Sequence, residues 1–597
     1  MARRSSAINE PRNPLDAKAS PALFPSEQYI LFPHSRLSPP AMNTFSRTFE
    51  ERIIASGFSF VKVKSSLMAG SADAATHEVN PWLTAVSVLA GTFMVILDST
   101  VVNVSLPYIA GNLSATVEES TWVLTTYLAA NAIIIPITGW LANYFGRKRL
   151  LLLAVTGFTL ASFFCGFSPS LTILIAFRII QGLSGGVMQP LSQAVMLESF
   201  PPHERGRAMA LWSLGIVVAP ILGPVLGGWL TDNYSWRWVF YVNIPVGIAA
   251  LMMIQNFVFD PAYIRRSSAR VDYLGLCLMA VGIGALQIGL DQGQQEDWFS
   301  SRWITILILV AAVGLTAFLI HEIFARAPII DLRVFKKPTY TTGVFLITVT
   351  GFVLYGSLIV LPILLQTVMQ YPPLQAGIAL VPRGIGMLLI MPIVGILIGR
   401  VDARLLLASG FSVGAATLYW FSLLDLSAGY WDYFWPQLIQ GASFAFLFVP
   451  LTTATMDPIP NAAMGNATSI FNLLRNIGGS IGIAVTQTLL ARGRQRYANI
   501  LGAHVSSYHL GVQEQLRRLQ SAFAARGADP VTAAQRARAA LWGTVQKQAA
   551  ILTFNDAFRM LGLIFLIATP LVFAMRRPRS GHHQPASEKP AGSQPDS

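Results

Sequence analysis

Asp98 and Arg178 are the residues whose types and positions could carry proton chemistry, because both lie deep within long apolar segments. A carboxylate in such surroundings is costly unless it is paired or protonated. Burial favours the neutral acid and a nearby cation favours the carboxylate, so a conformational change could alternately load and release a proton. Counted from Ile109 and Leu171 at 1.5 Å per residue, both side chains lie roughly 10 to 16 Å below one surface, where contact is feasible. The alternatives are a charge pair that never titrates and, for Arg178, a fixed brace to backbone carbonyls.

The composition indicates what must position these residues. Of 597 residues, 53% are hydrophobic and 12% are charged, and the mean hydropathy is +0.53. A soluble domain carries roughly 25% charged residues, so the apolar excess must face lipid. The net charge of +13 is concentrated in loops between apolar segments, which fits a membrane protein and argues against a nucleic-acid partner. The two cysteines lie in apolar runs, so we expect neither disulfides nor a metal site.

Apolar segments of about 20 residues recur from Pro81 onward, each long enough to cross a ~30 Å hydrocarbon core. They predict an all-α polytopic membrane protein with fourteen transmembrane helices. The segments lie near 83–109, 121–142, 149–168, 171–198, 208–231, 236–257, 273–291, 303–322, 340–367, 376–399, 404–424, 433–455, 463–491 and 552–575. An even number of spans places both termini on the same side.

Lys and Arg residues in the short loops identify that side. Loops after spans 2, 4, 6, 8 and 10 carry Arg147, Lys148, Arg149, Arg205, Arg207, Arg265, Arg266, Arg270, Arg326, Arg333, Lys336, Lys337, Arg400 and Arg404. The opposite short loops carry only Arg237 and Arg302, at span edges. Because positive charge favours the cytoplasmic side, we predict a multi-pass protein of the inner (plasma) membrane with both termini cytoplasmic.

Two polar tails flank the spans. Residues 1–80 are proline-rich, which predicts a disordered cytoplasmic tail, and 576–597 predict a second cytoplasmic tail. Met68 precedes a short polar leader, so residues 1–67 could also come from an over-long start.

An internal repeat indicates the architecture. The sequence RIIQG at 178–182, followed by Pro190, is echoed by QLIQG at 437–441, followed by Pro450. Weaker echoes join 139–149 with 395–404, and 106–107 with 361–362. The paired stretches are separated by the same number of residues to within a few positions.

The repeat divides the chain into two copies of a six-helix unit, at 81–257 and 340–575, with two inserted helices at 273–322 between them. Parallel six-helix halves with a substrate site between them near the midplane are typical of a secondary transporter.

Four motifs carry a resemblance to a known family: LDSTVVNVSLP at 97–107, GWLANYFGRKR at 139–149, RIIQGLSGG at 178–186 and GIVVAPILGPVLGG at 215–228. SWRWVF at 235–240, leading to Asn243-Ile244-Pro245, is a further typical stretch. Over residues 81–577 the chain resembles the fourteen-spanner drug:proton antiporters of the major facilitator superfamily, EmrB/QacA type. The resemblance implies proton-coupled efflux of amphipathic or cationic toxic compounds, with small drug-like molecules, protons and membrane lipid as partners.

The resemblance also assigns roles to two groups of residues. Gly139, Asn143, Gly146, Arg147 and Lys148 would form a gating loop that latches the inner gate, although the family usually has an acidic residue where Asn143 stands. Gly215, Pro220, Gly223, Pro224, Gly227 and Gly228 would form the antiporter motif, densely packed at the interface between the halves. The simpler alternatives are orientation of the chain for the basic loop and generic helix packing for the glycines.

A substrate cavity is predicted from polar residues that share helix faces within the spans. The candidates are Tyr127, Asn131, Gln181, Gln189, Gln366, Arg383, Gln437 and Arg475. Gln437 stands where the repeat places Arg178, so proton coupling is expected in the first half only. For each candidate, a hydrogen bond between helices is the alternative role.

The energy source is predicted to be the proton gradient, without any other cofactor. The phosphate-binding pattern Gly-x-x-x-x-Gly-Lys-Ser/Thr does not occur in the sequence. One charge moved through 100 mV is worth about 2.3 kcal/mol, so no chemical fuel is required. No enzyme activity is expected. The alternatives are a proton-coupled exporter of a specific metabolite or siderophore and, in other classes, a channel or a membrane enzyme.

The long loop before the last span predicts a helical hairpin over 509–549, outside the membrane. Val512, Leu516, Leu519 and Phe523 form one apolar stripe, and the stretch 527–530 is a helix stop followed by a capping Asp and a Pro. In Gram-negative relatives a periplasmic adaptor links the pump to an outer-membrane channel, so the hairpin is a candidate docking surface. Alternatively, the stripe closes on itself.

Overall fold

The computed structural model describes residues 80–201, 203–260, 272–325, 328–398, 400–505 and 509–575. The predicted tails therefore lie outside the described residues, apart from Asn80. The same holds for Arg265, Arg266, Arg270 and Arg326 of the predicted basic loops.

The described residues form helices joined by turns and loops, and none of these residues lies in a strand. The first half contains α1 (Pro81–Asn112), α2 (Val117–Ile134), α3 (Thr138–Phe145), α4 (Arg147–Phe167), α5 (Leu171–Ser199), α6 (Arg205–Asn233), α7 (Trp238–Tyr241) and α8 (Asn243–Phe257). The inserted helices are α9 (Tyr273–Gln292) and α10 (Arg302–Phe324). The second half contains α11 (Pro338–Ile363), α12 (Pro373–Ile378), α13 (Val381–Leu397), α14 (Ala403–Phe421), α15 (Tyr430–Met456), α16 (Met464–His504), α17 (Leu510–Ala525) and α18 (Pro530–Leu571).

Within the described ranges, 11 helical segments are long and apolar enough to cross a membrane, or 12 if the bent pair α2 and α3 is one span. Pro136 lies at this bend of 60°, where its missing N–H breaks the helical ladder. Helices α14 and α16 also occupy the predicted spans 404–424 and 463–491. They are not among the helices that are long and apolar enough to cross a membrane. The described chain is thus an all-helical, multi-pass membrane protein with fewer clearly apolar helices than the fourteen predicted.

Corresponding helices pack in the same way in the two halves. In the first half α6 packs on α1, α2 on α5, and α8 on α1 and α4. In the second half α16 packs on α11, α13 on α15, and α18 on α11 and α14. The repeat in the sequence is therefore matched by a repeat of helix contacts.

The halves meet at the end of the bundle where α3 turns into α4, which we call the basic end. There α3 touches α16, and a Cβ atom at Gly139 would lie 2.7 Å from the backbone nitrogen of Asn466. On the other flank the start of α6 meets the end of α13, where Gly206 lies against Gly395. Gln193 also accepts a hydrogen bond from Asn472 across the interface. The halves are therefore in contact at the basic end.

The inserted helices bridge the two halves. Helix α9 packs on α2 and on α16. On the first half, Asp291 accepts a hydrogen bond from Thr125. On the second, Ser480 donates to Gln287 at 3.0 Å and Trp298, just after α9, donates to Thr488 at 2.8 Å. The insertion is therefore part of the contact between the halves.

Helices α17 and α18 pack on each other as a hairpin, and α18 runs without a break into the predicted last span. Gly527 ends α17 with a φ of 88°, and Asp529 caps α18 by accepting from the Val531 and Thr532 amides at 3.0 and 3.1 Å. The apolar stripe of α17 is half-buried, and Ala533 and Ala537 of α18 are buried. Part of the stripe is therefore covered within the hairpin.

Candidate functional site

Asp98 on α1 and Arg178 on α5 form a fully buried ion pair. The Asp98 Oδ2 and Arg178 Nη1 atoms are 2.5 Å apart, and neither side chain has exposed surface. Close packing of α5 on α2 helps to place Arg178, because a Cβ atom at Gly182 would lie 2.5 Å from the carbonyl oxygen of Tyr127. The small residue in the RIIQG motif thus lets α5 approach its neighbour closely enough to direct the guanidinium inward.

Two amides complete the hydrogen bonding of the carboxylate. Asp98 Oδ1 accepts from Gln181 Nε2 at 3.0 Å and from Asn243 Nδ2, on α8, at 2.8 Å. Ser162 on α4 accepts from the same two amides at 3.2 and 3.0 Å and donates to the Phe240 carbonyl. The carboxylate therefore connects α1 to α5 and α8, and Ser162 adds α4 to the same network.

The Arg178 guanidinium is fixed from three directions. Its Nε donates to the Val123 carbonyl at 3.1 Å and its Nη1 also donates to Gln181 Oε1 at 2.8 Å. The Tyr127 ring lies under it, 4.0 Å from centroid to Cζ. Arg178 thus pairs with Asp98 and also donates to a backbone carbonyl. The second contact is the alternative role that the sequence analysis gave for Arg178.

The donors around the Asp98 carboxylate and the guanidinium charge of Arg178 compensate each other in a place that water does not reach. Removing either partner would leave an uncompensated buried charge, which is costly.

Two of the predicted cavity residues, Tyr127 and Gln181, belong to the surroundings of the ion pair. Both are buried against the ion pair, with exposures of 1% and 0%. Asn243 and Ser162 were not predicted as site residues. Asn243 could have been found as a polar residue within an apolar run, in the stretch Asn243-Ile244-Pro245, whereas a lone serine in a span carries little signal.

A second buried polar cluster lies in the second half. Arg383 on α13 donates to Gln437 at 2.7 Å and to Gln440 at 2.6 Å, both on α15, and to Ser357 on α11 at 3.3 Å. Arg475 on α16 is buried with 2% exposure. The predicted cavity residues Arg383 and Gln437 are therefore in contact with each other.

The other predicted cavity residues are placed differently. Gln366 lies in a π-helical turn after α11 and is exposed, so it does not join the second cluster. Gln189 is buried on α5 and Asn131 is half-buried on α2.

The predicted gating loop is tied down by acidic residues that the sequence did not single out. Arg147 is buried rather than exposed at the turn, and it pairs with Glu198 at the end of α5. The Lys148 backbone amide donates to Asp260 at 2.8 Å. Gly146, with a φ of 86°, makes the turn between α3 and α4, and Asn143 is half-buried. The loop is therefore anchored to the ends of α5 and α8.

The antiporter-motif glycines face α1 rather than the second half. Added Cβ atoms would meet Leu89 at Gly215, Thr100 at Gly223 and Val101 at Gly227. The dense packing predicted for the interface between the halves is thus an interaction within the first half. At Gly228 a Cβ atom would meet nothing within 4 Å, so close packing does not explain that residue.

Two repeated helical halves, the first of which holds a buried carboxylate–guanidinium pair, are typical of a membrane transporter, and comparison with known proteins agrees. The family model described as Major Facilitator Superfamily matches residues 88–483. Multidrug export protein EmrB of Escherichia coli (strain K12) is 38% identical over 492 residues, 82% of this chain and 94% of that protein. Fatty acid resistance protein FarB of Neisseria gonorrhoeae is 37% identical over 502 residues, 83% of this chain and 96% of that protein.

Among solved structures, the human organic anion transporter MFSD10 (TETRAN) matches with a TM-score of 0.53 at 14% identity, covering 82% of this chain and 99% of that one. That likeness shows the fold alone. The chain belongs to the Major Facilitator Superfamily, in its EmrB/QacA type, as the motifs predict. Family and fold indicate a transporter rather than an enzyme.

Proposed function

We propose that the protein is a proton-coupled multidrug exporter, a drug:proton antiporter that moves amphipathic toxic compounds out across the inner membrane. The observation that carries the proposal is the Asp98–Arg178 pair, buried and shared between α1 and α5. The relatives support a multidrug substrate range, since they include a multidrug export protein and a fatty acid resistance protein.

In the proposed topology, α14 and α16 are counted as spans, which gives fourteen. The basic end faces the cytoplasm and both termini are cytoplasmic. Contact of the halves at this end, through Gly139 and Gly206, then corresponds to a state closed to the cytoplasm. A proton reaching Asp98 from the opposite side would release Arg178 and allow the halves to reopen at the basic end.

The α17/α18 hairpin is then extracytoplasmic and is proposed as a docking surface for a periplasmic adaptor that leads to an outer-membrane channel. Leu510, Val531 and Trp542 are large apolar residues that remain exposed on it, at 83%, 68% and 49%. Because the stripe of α17 is half-covered by α18, these exposed residues are better candidates for adaptor contact than the stripe itself.

Proton release from purified, detergent-solubilised protein tests the proposal. Neutral, cationic and acidic amphiphiles are added in turn at weak buffering, and the pH is followed. A substrate that competes with the bound proton should release protons from the wild type and none from Asp98→Asn. Equal release from both proteins, or no release with any compound, would contradict the proposed coupling. Counterflow in liposomes distinguishes a carrier from a channel.

A further inference from the structure

Two buried arginine side chains of the second half, Arg383 and Arg475, form no ion pair with any carboxylate that the structure describes. We propose that Arg383 and Arg475 form a binding site for the anionic group, such as a carboxylate, of an amphipathic substrate. This inference rests on the proposed function, because it names the chemical class of compound that the exporter would carry.

The environment of Arg383 is polar but uncharged. Its three nitrogens donate to Gln437, Gln440 and Ser357, all neutral side chains. Arg383 itself is 5% exposed. In the first half, by contrast, the buried Arg178 pairs with a carboxylate. The two halves thus hold a guanidinium in opposite electrostatic settings.

The hydrogen bonds of Arg383 determine how the two amides are oriented. A guanidinium can only donate, so the carbonyl oxygens of Gln437 and Gln440 must face it and their NH₂ groups must point elsewhere. Both Nε2 atoms are buried without a hydrogen-bond partner. The cluster therefore offers unpaired donors, which an acceptor such as a carboxylate would satisfy.

Arg475 adds further unpaired donors. Its Nε and Nη2 atoms are buried without partners. Its helix α16 lies against α11 so closely that a Cβ atom at Gly351 would be 2.3 Å from the Arg475 carbonyl oxygen. Since Arg383 contacts Ser357 on the same helix, α11 joins both arginines, at positions less than two turns apart.

The helices that pack around the two arginines carry few carboxylates. No Asp or Glu occurs in the sequences of α11, α13 and α16, and α15 has only Asp432, in its first turn. Helix α18, which also packs on α11 and α16, has only Asp556, which accepts a hydrogen bond from Tyr497. Neither arginine forms an ion pair within the described residues. An isolated cation in such an environment is costly, so an anionic ligand would be stabilised and a cationic one repelled.

The depth of both arginines fits a substrate site between the halves. Counted from Met464, Arg475 lies roughly 16 Å along α16, and counted from Gln375, Arg383 lies roughly 12 Å into its span. Both positions are near the middle of a ~30 Å core, where transporters of this architecture place their substrates.

Equilibrium binding of three probes of one shape and different charge tests the inference. Naphthoate, naphthamide and naphthylmethylammonium are dialysed at neutral pH against the full-length protein in detergent. The wild type should bind naphthoate about ten-fold or more tightly than naphthamide, and the ammonium probe most weakly. Arg383→Met and Arg475→Met should each lose this preference while naphthamide binding is retained. Arg383→Lys should keep part of it.

Arg302→Met serves as the matched control, because Arg302 is exposed at the start of α10. It should keep the wild-type preference. Thermal unfolding identifies variants that do not fold. If a variant does not fold, the comparison of the three probes on the wild type still tests the inference. Equal binding of the three probes, no binding of naphthoate, or an unchanged preference in both folded Met variants would overturn the inference.

Failure of this inference can be distinguished from failure of the proposed function. The binding measurement uses no proton gradient, so naphthoate preference without proton-coupled transport would leave the anion site standing and refute the coupling. Proton-coupled transport of cationic or neutral compounds by a protein that does not prefer naphthoate would support the coupling and refute the anion site.

Discussion

Asn243 on α8 donates a hydrogen bond of 2.8 Å to the Asp98 carboxylate on α1. This contact joins the last helix of the first half to the residue that we propose carries the proton. The same amide donates to Ser162 on α4 at 3.0 Å. A movement of α1 away from α8 must therefore break the bond between Asp98 and Asn243, whose amide is also bonded to α4.

Asn243→Ala should lower the thermal stability of the protein. The substitution removes a donor to the buried Asp98 carboxylate and leaves part of its hydrogen bonding unsatisfied. One hydrogen bond to a charged group is worth about 1.5 to 3 kcal/mol. The measurement is thermal unfolding in detergent. Asn233→Ala, at an exposed position, should leave the melting temperature unchanged, and an equally small effect of Asn243→Ala would refute its role in holding Asp98.

Gly227→Ala should destabilise the protein, whereas Gly228→Ala should not. An added methyl group at Gly227 would lie 2.8 Å from the Val101 carbonyl oxygen, and at Gly228 it would meet nothing within 4 Å. Overpacking costs about 1 to 3 kcal/mol, while alanine is preferred over glycine in a helix by about 0.5 to 1 kcal/mol. Thermal unfolding in detergent compares the two variants. Equal melting temperatures would show that α6 and α1 are not packed as described.

The stability of the start of α18 should depend on pH through Asp529. Hydrogen bonds from the Thr532 side chain and backbone lower the pKa of Asp529 below its ordinary value. A carboxylate with a lowered pKa stabilises the folded state above its unfolded pKa of about 3.9 and loses that effect as pH falls through the folded pKa. Hydrogen exchange of residues 531–534 should thus be slower in the wild type than in Asp529→Ala at neutral pH, with the difference vanishing in acid. A difference that does not decrease as the pH falls below about 3.9 would contradict the capping role.

Replacement of residues 509–549 by a short Gly/Ser linker tests the proposed docking surface. Transport in vesicles should remain largely intact, because the deleted helices lie outside the proposed core, while whole-cell resistance and co-purification with an adaptor should be lost. Leu510→Ser with Trp542→Ser is a milder variant of the exposed apolar residues. Unchanged co-purification, or equal loss of vesicle transport, would each argue against the docking surface.

Much of this fold was predictable because hydrophobic length and repetition are local signals. The positions of the spans, the internal repeat and the depth of Asp98 and Arg178 all follow from spacing along the chain. The number of clearly apolar helices was not predictable in the same way. Helix α16 carries Asn472 and Arg475 inside its span, and the second half packs around such polar residues rather than excluding them.

The candidate site was less predictable because helix periodicity identifies a face but not its partner. Gly215, Gly223 and Gly227 of α6 share one face, yet only the structure shows that the face contacts α1. Polar residues inside a span can likewise form hydrogen bonds with any neighbouring helix. Gln181 was therefore predicted to line a cavity, although it donates to Asp98. Arg147 pairs with Glu198, which lies about 50 residues away in a different helix, a pairing that sequence spacing cannot reveal.

Proton coupling in the proposed function depends most directly on Asp98 as the carrier of the coupled proton. Asp98→Asn keeps the shape of the side chain but cannot exchange a proton, and it leaves the Arg178 charge uncompensated. Asp232→Asn is the matched control, since this carboxylate lies exposed at the end of α6, where it accepts from Tyr108 at 2.7 Å. Both variants should still insert in the membrane.

The decisive measurement is substrate transport in everted vesicles as a function of the imposed pH gradient. Asp98→Asn should lose gradient-dependent transport, and Asp232→Asn should retain it. Transport by Asp98→Asn with the wild-type dependence on the pH gradient would show that Asp98 does not carry the coupled proton.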